Sequence, residues 1–326
     1  MRSPTPLTTA GIPQFRRALL AWYDKNRREL PWRRTQDPYR IWVSEIMLQQ
    51  TRVAAVVDRY RKFLHRFPSV TQLAAARESA VLAEWSGLGY YRRARNLQAA
   101  AQQIAHARRG VFPATAAEWR ELPGIGRYTA AAIASIAFNR AEAVLDGNVE
   151  RVLRRLLGGR RQRRDLWRHA QEYLDHDRPG DFNQAMMELG AMVCTPAQPR
   201  CSACPIRRFC RTRGNGETPK GKVRRQKREV TYCLLQRKAS VLLVQRQNSY
   251  KLMPGMWELP EANGPSASQK PMFSLRHSIT VTDFRVQVVN GAGAFAGGKW
   301  VRTSRLPGLP LTGLTKKILR RAGIIQ

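Results

Sequence analysis

From Gln14 to Val193 the apolar positions recur three and four residues apart, the period of amphipathic helices and not of strands. Phe15, Leu19 and Trp22 set that period in the first segment. Leu30-Pro31 ends it, because proline has no amide to give to a helix interior. Asp37-Pro38 opens a segment running from Tyr39 to Gln50, and Arg52 to Phe67 follows with a stop at Pro68. Further helices are expected at 71–86, 90–108, 115–121, 127–138, 148–157, 165–175 and 181–193, with almost no strand signal among them.

After Cys210 the period disappears. The stretch RTRGNGETPKGKVRRQKRE is rich in Gly, Pro and cations and reads as a linker, assigned to 216–228. Short β-branched and leucine-rich runs then occupy Val230 to Gln236, Ser240 to Arg246, Phe284 to Val289 and Lys299 to Arg302, with a closing helix at Thr315 to Ala322. The chain therefore reads as a multi-domain protein, an all-α domain over 1–215 and a small α+β domain over 229–326. A length of 326 residues agrees with two cores of roughly 150 residues each.

Composition sharpens the picture. Hydrophobic residues make up 43% and charged residues 25%, too apolar for a disordered tail, so the formal charge of +34 sits on folded domains. Residues 1–222 carry 39 basic and 19 acidic side chains and 223–326 carry 18 and 4, so both parts share the excess. Such a charge favours polyanions, nucleic acid first, because neutralising phosphates releases their counterions. The 46 arginines against 11 lysines also fit GC-rich coding, which needs no ligand. The N-terminus lacks the apolar core of a secretory signal, and the run from Ala130 to Phe138 is far short of a membrane span. A cytoplasmic protein without a membrane partner is expected.

Four of the five cysteines, Cys194, Cys201, Cys204 and Cys210, fall within one short loop. Four thiolates so close can surround one metal centre. A zinc ion or a [4Fe–4S] cluster would satisfy them, and one compact run, unlike two separated Cys-x2-Cys pairs, favours the cluster. The loop also carries Arg200, Arg207, Arg208, Arg211 and Arg213, a phosphate-binding surface. A second motif, Leu122-Pro-Gly-Ile-Gly-Arg-Tyr-Thr129, joins two predicted helices. Gly124 and Gly126 let the backbone approach a ligand, and the amides opening the next helix, near Thr129, suit an anion. This is a helix-hairpin-helix pattern, which grips the DNA backbone without reading sequence. Its plain alternative is a turn with no ligand.

Two carboxylates stand out. Glu45 lies among Trp42, Val43, Ile46, Met47 and Leu48, surroundings that keep a carboxyl protonated and able to donate a proton. Asp146, just before a helix, reads as an N-cap, and a capped, hydrogen-bonded carboxylate stays ionised.

WVSEIMLQQT (42–51), GLGYYRRARN (87–96), ELPGIGRYTA (121–130), VLDGNVERVL (144–153), FNQAMMELGAMVC (182–194) and the four-cysteine loop occur in this order and together resemble the MutY-type adenine DNA glycosylases of the endonuclease III superfamily. The likeness runs from residue 15 to 210. It implies a base excision repair enzyme, a monomer acting on duplex DNA that contains adenine opposite 8-oxoguanine or guanine, in a bacterial-type cytoplasm where it associates with the nucleoid. It implies that Glu45 protonates N7 of the extruded adenine and that Asp146 stabilises, or transiently bonds to, the sugar carbon. Asn148 would orient Asp146 or the attacking water, and Tyr128 would pack against the site. Lyase-competent relatives carry a Schiff-base lysine where Tyr128 stands, so a monofunctional glycosylase is expected. Glu150 replaces a lysine that forms an incidental adduct in some adenine glycosylases.

By the same resemblance Gln50 and Tyr90 enter the base stack around 8-oxoguanine, while Trp32, Arg33 and Gln184 line the adenine pocket. The second domain resembles the family's nudix-like (MutT-like) module through LLVQRQ (242–247), GMWELPE (255–261) and RHSIT (276–280). Only Glu258 and Glu261 follow Gly255 closely, too few acids for a hydrolytic nudix site, so the module is expected to be catalytically silent. The family's Phe-Ser-His loop appears as Ile279-Thr280-Val281, in which Thr280 keeps a hydroxyl and the histidine is missing. His277 reads equally as a recognition residue or a turn residue, and Cys233 as core. Two rivals stay open at this point: a lyase-type glycosylase for oxidised pyrimidines, and a non-enzymatic iron–sulfur DNA-binding or redox-sensing protein.

Overall fold

The computed structural model describes residues 9–159, 161–213, 225–247, 249–250, 252–262, 270–279, 281–291 and 295–325. In chain order the helices are α1 (Ile12–Asn26), α2 (Pro38–Leu48), α3 (Val53–Arg66), α4 (Val70–Ala75), α5 (Glu78–Trp85), α6 (Arg92–His106), α7 (Ala116–Trp119), α8 (Arg127–Phe138), α9 (Gly147–Leu157), α10 (Arg163–Tyr173), α11 (Pro179–Met192) and α12 (Gly313–Arg321). Backbone contacts group the described residues of Met1–Leu64 and Ala100–Lys220 into one compact unit, and those of His65–Ala99 and Gly221–Gln326 into another.

The first unit is helical, and its helices begin where local chemistry lets them. The Asp37 carboxylate accepts from the amides of Tyr39 and Arg40 with Pro38 at the first helical position, which starts α2. Thr115 and Glu118 form a reciprocal capping box on α7. Along α9 the buried stripe Val149, Val152, Leu153 and Leu156 meets Phe15, Leu19, Tyr173, Phe182 and Leu189 from α1, α10 and α11. Burying side chains of this size contributes roughly 1.5–3 kcal/mol each. The small residues of α8, Ala130 to Ser135, are all buried. At Gly180 a Cβ would stand 2.7 Å from the Ser135 carbonyl, so only glycine lets α11 approach α8 this closely.

In the second unit the single helix expected over 71–86 is two. Ala76 and Arg77 are extended, and the Gln98 side chain donates to the Ala76 carbonyl that the break leaves open and to that of Leu73. Residues 65–99, which the sequence reading places in the 1–215 domain, pack with the C-terminal part. The Ser86 hydroxyl donates to the Leu311 carbonyl at 2.6 Å, and Arg95 donates to that of Pro254 at 2.6 Å.

The strands of this unit are β1 (Gln226–Leu234), β2 (Gln236–Arg237), β3 (Ser240–Gln245), β4 (Trp257–Glu258), β5 (Phe273–Ile279), β6 (Thr282–Asn290) and β7 (Gly298–Arg302). They form a sheet of order β1-β6-β5 and a second in which β3 is flanked by β2, β4 and β7. β1 runs parallel to β6 from Gln226, so it begins inside the stretch read as a linker. The expected strands lie in β1, β3, β6 and β7. β5 went unpredicted because Leu275 alone is fully buried in Phe-Ser-Leu-Arg-His-Ser-Ile. Leu314, Ile318 and Leu319 of α12 cover Val241, Leu243, Val286 and Val288. Among the described residues no helix is long and apolar enough to cross a membrane.

Candidate active site

A cleft of about 690 Å³ in the first unit collects Glu45, Tyr128, Asp146 and Asn148, together with Trp32, Arg33, Gln50, Gln184 and Glu188. Glu45 sits near the C-terminal end of α2 and is 6% exposed. The Tyr128 hydroxyl donates to Glu45 Oε2 at 3.0 Å and lies 3.2 Å from Met187 Sδ. Burial pushes the Glu45 carboxyl up to about 7; the tyrosine bond works against that rise, and the nearby Asp146 charge adds to it. The Tyr128 phenol, buried beside two acids, is pushed well above its ordinary value.

Asp146 is the N-cap of α9, as its position before the helix predicts. Oδ1 accepts from the Val149 amide at 2.7 Å and Oδ2 from Asn148 Nδ2 at 3.0 Å. Burial raises its pKa while these bonds pull the other way. Asn148 is held from its other end too. Its Oδ1 accepts from Arg151 at 2.7 Å, and the same guanidinium donates to the carbonyls of Gly190 and Cys194. A Cβ at Gly190 would stand 2.6 Å from Asn148 Cβ, so this glycine lets α11 close on the first turn of α9.

The far wall is built on Glu188, whose side chain is 1% exposed. Arg28 donates to Oε1 and Oε2 at 2.7 Å each, and Arg33 at 3.0 and 2.8 Å. Burial alone would raise this carboxyl, but the bonds from Arg28 and Arg33 outweigh it and hold it near 2. Arg33 is thereby locked at the cleft, and Trp32 beside it is buried edge-on against Tyr60. Gln184 lines the cleft one turn before Glu188. Glu188, Arg28, Arg151 and Gly190 escaped the sequence reading. The apolar neighbours that singled out Glu45 also surround Glu188 in Met186-Met187-Glu188-Leu189, and that signal could have found it.

The hairpin takes the expected form. Gly124 has φ +76°, open only to glycine without strain, and Gly126 is the N-cap of α8 with no side-chain cap, which leaves the first-turn amides for another acceptor. The Thr129 side chain is buried, and its hydroxyl accepts from Gln49 at 3.1 Å, tying the hairpin to the end of α2. Gln50, at the rim of the cleft, has φ +54°; Tyr90, in the second unit, has φ +50° and is 45% exposed. Positive φ in non-glycine residues is uncommon and clusters at functional positions.

Cys194, Cys201, Cys204 and Cys210 line one space of about 30 Å³ together with Arg155, Arg200 and Arg207. Arg155 donates to Cys194 Sγ at 3.3 Å and to the Thr195 and Pro196 carbonyls. Among the described residues no three His, Cys, Asp or Glu side chains converge closely enough to hold a single metal ion. In the second unit Glu258 is ion-paired to Arg246 at 2.6 Å. His277 lines an open depression on the β1-β6-β5 sheet, its pKa lowered by burial and by Lys317. Thr280 lies outside the described residues.

Residues 43–175 match the HhH-GPD superfamily of base excision DNA repair proteins. The chain is 38% identical over 325 residues to the adenine DNA glycosylase of Homo sapiens, a match covering 80% of this chain and 59% of that protein. It is 36% identical over 255 residues to the adenine DNA glycosylase of Buchnera aphidicola subsp. Baizongia pistaciae, covering 75% of this chain and 71% of that one. The chain thus spans less than two thirds of the human relative. Among solved structures, a thermostable thymine-DNA glycosylase superposes with a TM-score of 0.60 at 28% identity, over 64% of this chain and 100% of the other.

Proposed function

The chain belongs to the adenine DNA glycosylase family, and from that premise we propose that it is a monofunctional base excision repair enzyme hydrolysing the N-glycosidic bond of adenine mispaired with 8-oxoguanine or guanine in duplex DNA. The observation that carries this reading is the pairing of a buried carboxyl poised near 7, Glu45, with a capped and hydrogen-bonded carboxylate, Asp146, in one cleft. Glu45 donates its proton to N7 of the extruded adenine, and the C1′–N9 bond breaks as its electrons pass into the base. Asp146 stabilises the cationic sugar, and water adds at C1′ while its proton passes to the Glu45 carboxylate, which restores the acid. Asn148, fixed by Arg151, keeps Asp146 in place. Tyr128 offers no amine, so the reaction ends at hydrolysis.

Arg33, Trp32, Gln184 and Glu188 are the walls of the adenine site in this reading, and Gln50 and Tyr90 fill the emptied stack. Gly124, Gly126 and the amides of Arg127 to Thr129 hold a phosphate at the α8 N-terminus. The four cysteines line one space, and their compact run fits a [4Fe–4S] cluster. When bound, such a cluster supplies four covalent anchors for a loop rich in arginine. Residues 229–326 act as a nudix-like reader of 8-oxoguanine, with Thr280 in its recognition loop. Arg246 occupies the acid, Glu258, that a hydrolytic nudix site would spend on metal. The enzyme acts as a monomer in the cytoplasm, on the nucleoid.

Single-turnover release of adenine from duplexes placing 8-oxoguanine, guanine or thymine opposite it tests the proposal. Release from the first two and little from the third is expected; equal rates from all three overturn the substrate assignment. Efficient borohydride trapping on an abasic duplex would favour the lyase-type rival. Anaerobically purified protein should carry about four irons per chain, and a stoichiometric zinc content refutes the cluster.

A further inference from the structure

The turn before α6 is built from a run of unusual backbone: Gly87, Gly89 and Tyr90 have φ +102°, +69° and +50°. The two glycines adopt such angles freely, whereas tyrosine pays for its own unless its surroundings hold it there. Arg93 is what surrounds it. One guanidinium nitrogen donates to the carbonyls of both Leu88 and Gly89 at 3.0 Å, and the Trp85 indole donates to the same Gly89 carbonyl at 3.3 Å. The guanidinium carbon stands 5.4 Å from the Trp85 ring centroid and 5.6 Å from that of Tyr90. Trp85 is fully buried and Tyr90 is 45% exposed, so Arg93 connects an immobile ring to one that meets solvent. Burial lowers the Arg93 pKa to about 10, which leaves it cationic at neutral pH.

We infer that Arg93 is a positioning residue for the wedge: it locks the Leu88–Gly89–Tyr90 turn and backs the Tyr90 ring from one side, presenting the other for insertion into the base stack. The inference rests on the reading of Tyr90 as a stack-entering residue. A cation over an aromatic ring and two carbonyl bonds fix the ring before DNA arrives, so the ordering cost of insertion is met in the free protein. Lysine is a poor replacement, since a compact ammonium on a flexible stem has no planar face to lie between the Trp85 and Tyr90 rings while it donates to the two carbonyls.

The test uses the full-length protein and a duplex carrying 2-aminopurine beside the guanine of an A:G mispair, whose fluorescence rises when the step is opened. Arg93→Lys is expected to reduce the rise about fivefold or more while the thermal midpoint stays within a few degrees of the parent. In a Tyr90→Ala background the same substitution should change it less than twofold, because the residue acts through the ring. A full rise in Arg93→Lys, an equal loss in both backgrounds, or an undiminished rise in Tyr90→Ala overturns the inference. Should Arg93→Lys fold poorly, Tyr90→Phe and Tyr90→Leu make the same distinction at an exposed position. Phenylalanine should keep the rise and leucine lose it, and equal behaviour of the two overturns the role of the ring. Adenine release measured on the same samples separates the readings: an Arg93-dependent rise without release supports this inference and sinks the glycosylase assignment.

Discussion

Two glutamates line the same cleft, and their carboxyls are pushed in opposite directions. Glu45 is 6% exposed and Glu188 1%, so both are largely cut off from water. Glu188 faces two guanidinium groups that make four short bonds to its oxygens, and its carboxyl is held near 2. Glu45 is bonded to one phenol and feels the Arg33 charge only through space, too little to offset burial and the neighbouring Asp146, and its carboxyl rises to about 7. Burial sets the stakes and the partners decide the outcome, at about 1.4 kcal/mol per pKa unit. One wall of the cleft is thereby a fixed anion that organises Arg28 and Arg33. The other holds its proton up to about neutral pH, as the proposed general acid must.

The contrast breaks most visibly on substitution by glutamine. Glu45→Gln removes the transferable proton and should lower single-turnover adenine release by about 10³-fold, within the range for a positioned general acid, while mismatch binding survives. Asp146→Asn should cost a similar factor by removing the negative charge beside the sugar. Stability should move the other way for Glu45. Its carboxyl is raised in the folded state, so its contribution is fully present below the unfolded pKa and is lost as pH rises through about 7. At pH 8 Glu45→Gln should therefore melt at or above the parent temperature. A variant that keeps release within tenfold of the parent would remove Glu45 from its role.

Glu188→Gln should act chiefly on stability. It leaves Arg33, whose side chain is 10% exposed, without a counter-charge, and breaking a buried pair costs about 3–5 kcal/mol. Because the Glu188 carboxyl is depressed, its contribution is present above the unfolded pKa and disappears as pH falls through about 2. Urea midpoints should thus differ at pH 7 and converge in strong acid. A difference that persists unchanged to pH 2 would mean that packing, not charge, holds this wall.

These two residues also mark how far the sequence reaches. The pocket glutamate on α2, the Asp146 cap, the hairpin and the cysteine loop are each encoded within at most seventeen neighbouring residues, and local pattern suffices to find them. The partnership of Glu188 with Arg28 and Arg33 joins positions about 160 residues apart, and no local rule connects them. The break at Ala76 has the same origin, because the carbonyl it exposes is satisfied by Gln98 from another helix. β5 was missed for a different reason: an edge strand with a single fully buried residue carries no clear alternation. The anonymous glycine at 190 shows the limit from the other side, since its role is the space it leaves for Asn148.

The pH profile sharpens the comparison further. With Glu45 titrating near 7, adenine release should fall about tenfold per unit above that value, as the donor loses its proton, and fall again in acid as Asp146, whose carboxyl burial raises, takes one up. The smallest expected effect concerns the hydrogen bond that opposes this shift. Tyr128 donates to Glu45 Oε2, which favours the charged carboxylate and holds its pKa below what burial alone would impose. Tyr128→Phe removes that donor while keeping the ring against Met187, so the alkaline limb should move to higher pH by less than about one unit. Near pH 8.5 the variant should retain a several-fold larger fraction of its own maximal rate than the parent does. A limb that moves to lower pH would show that the phenol stabilises the protonated acid instead, and the two walls of the cleft would then differ by less than their partners imply.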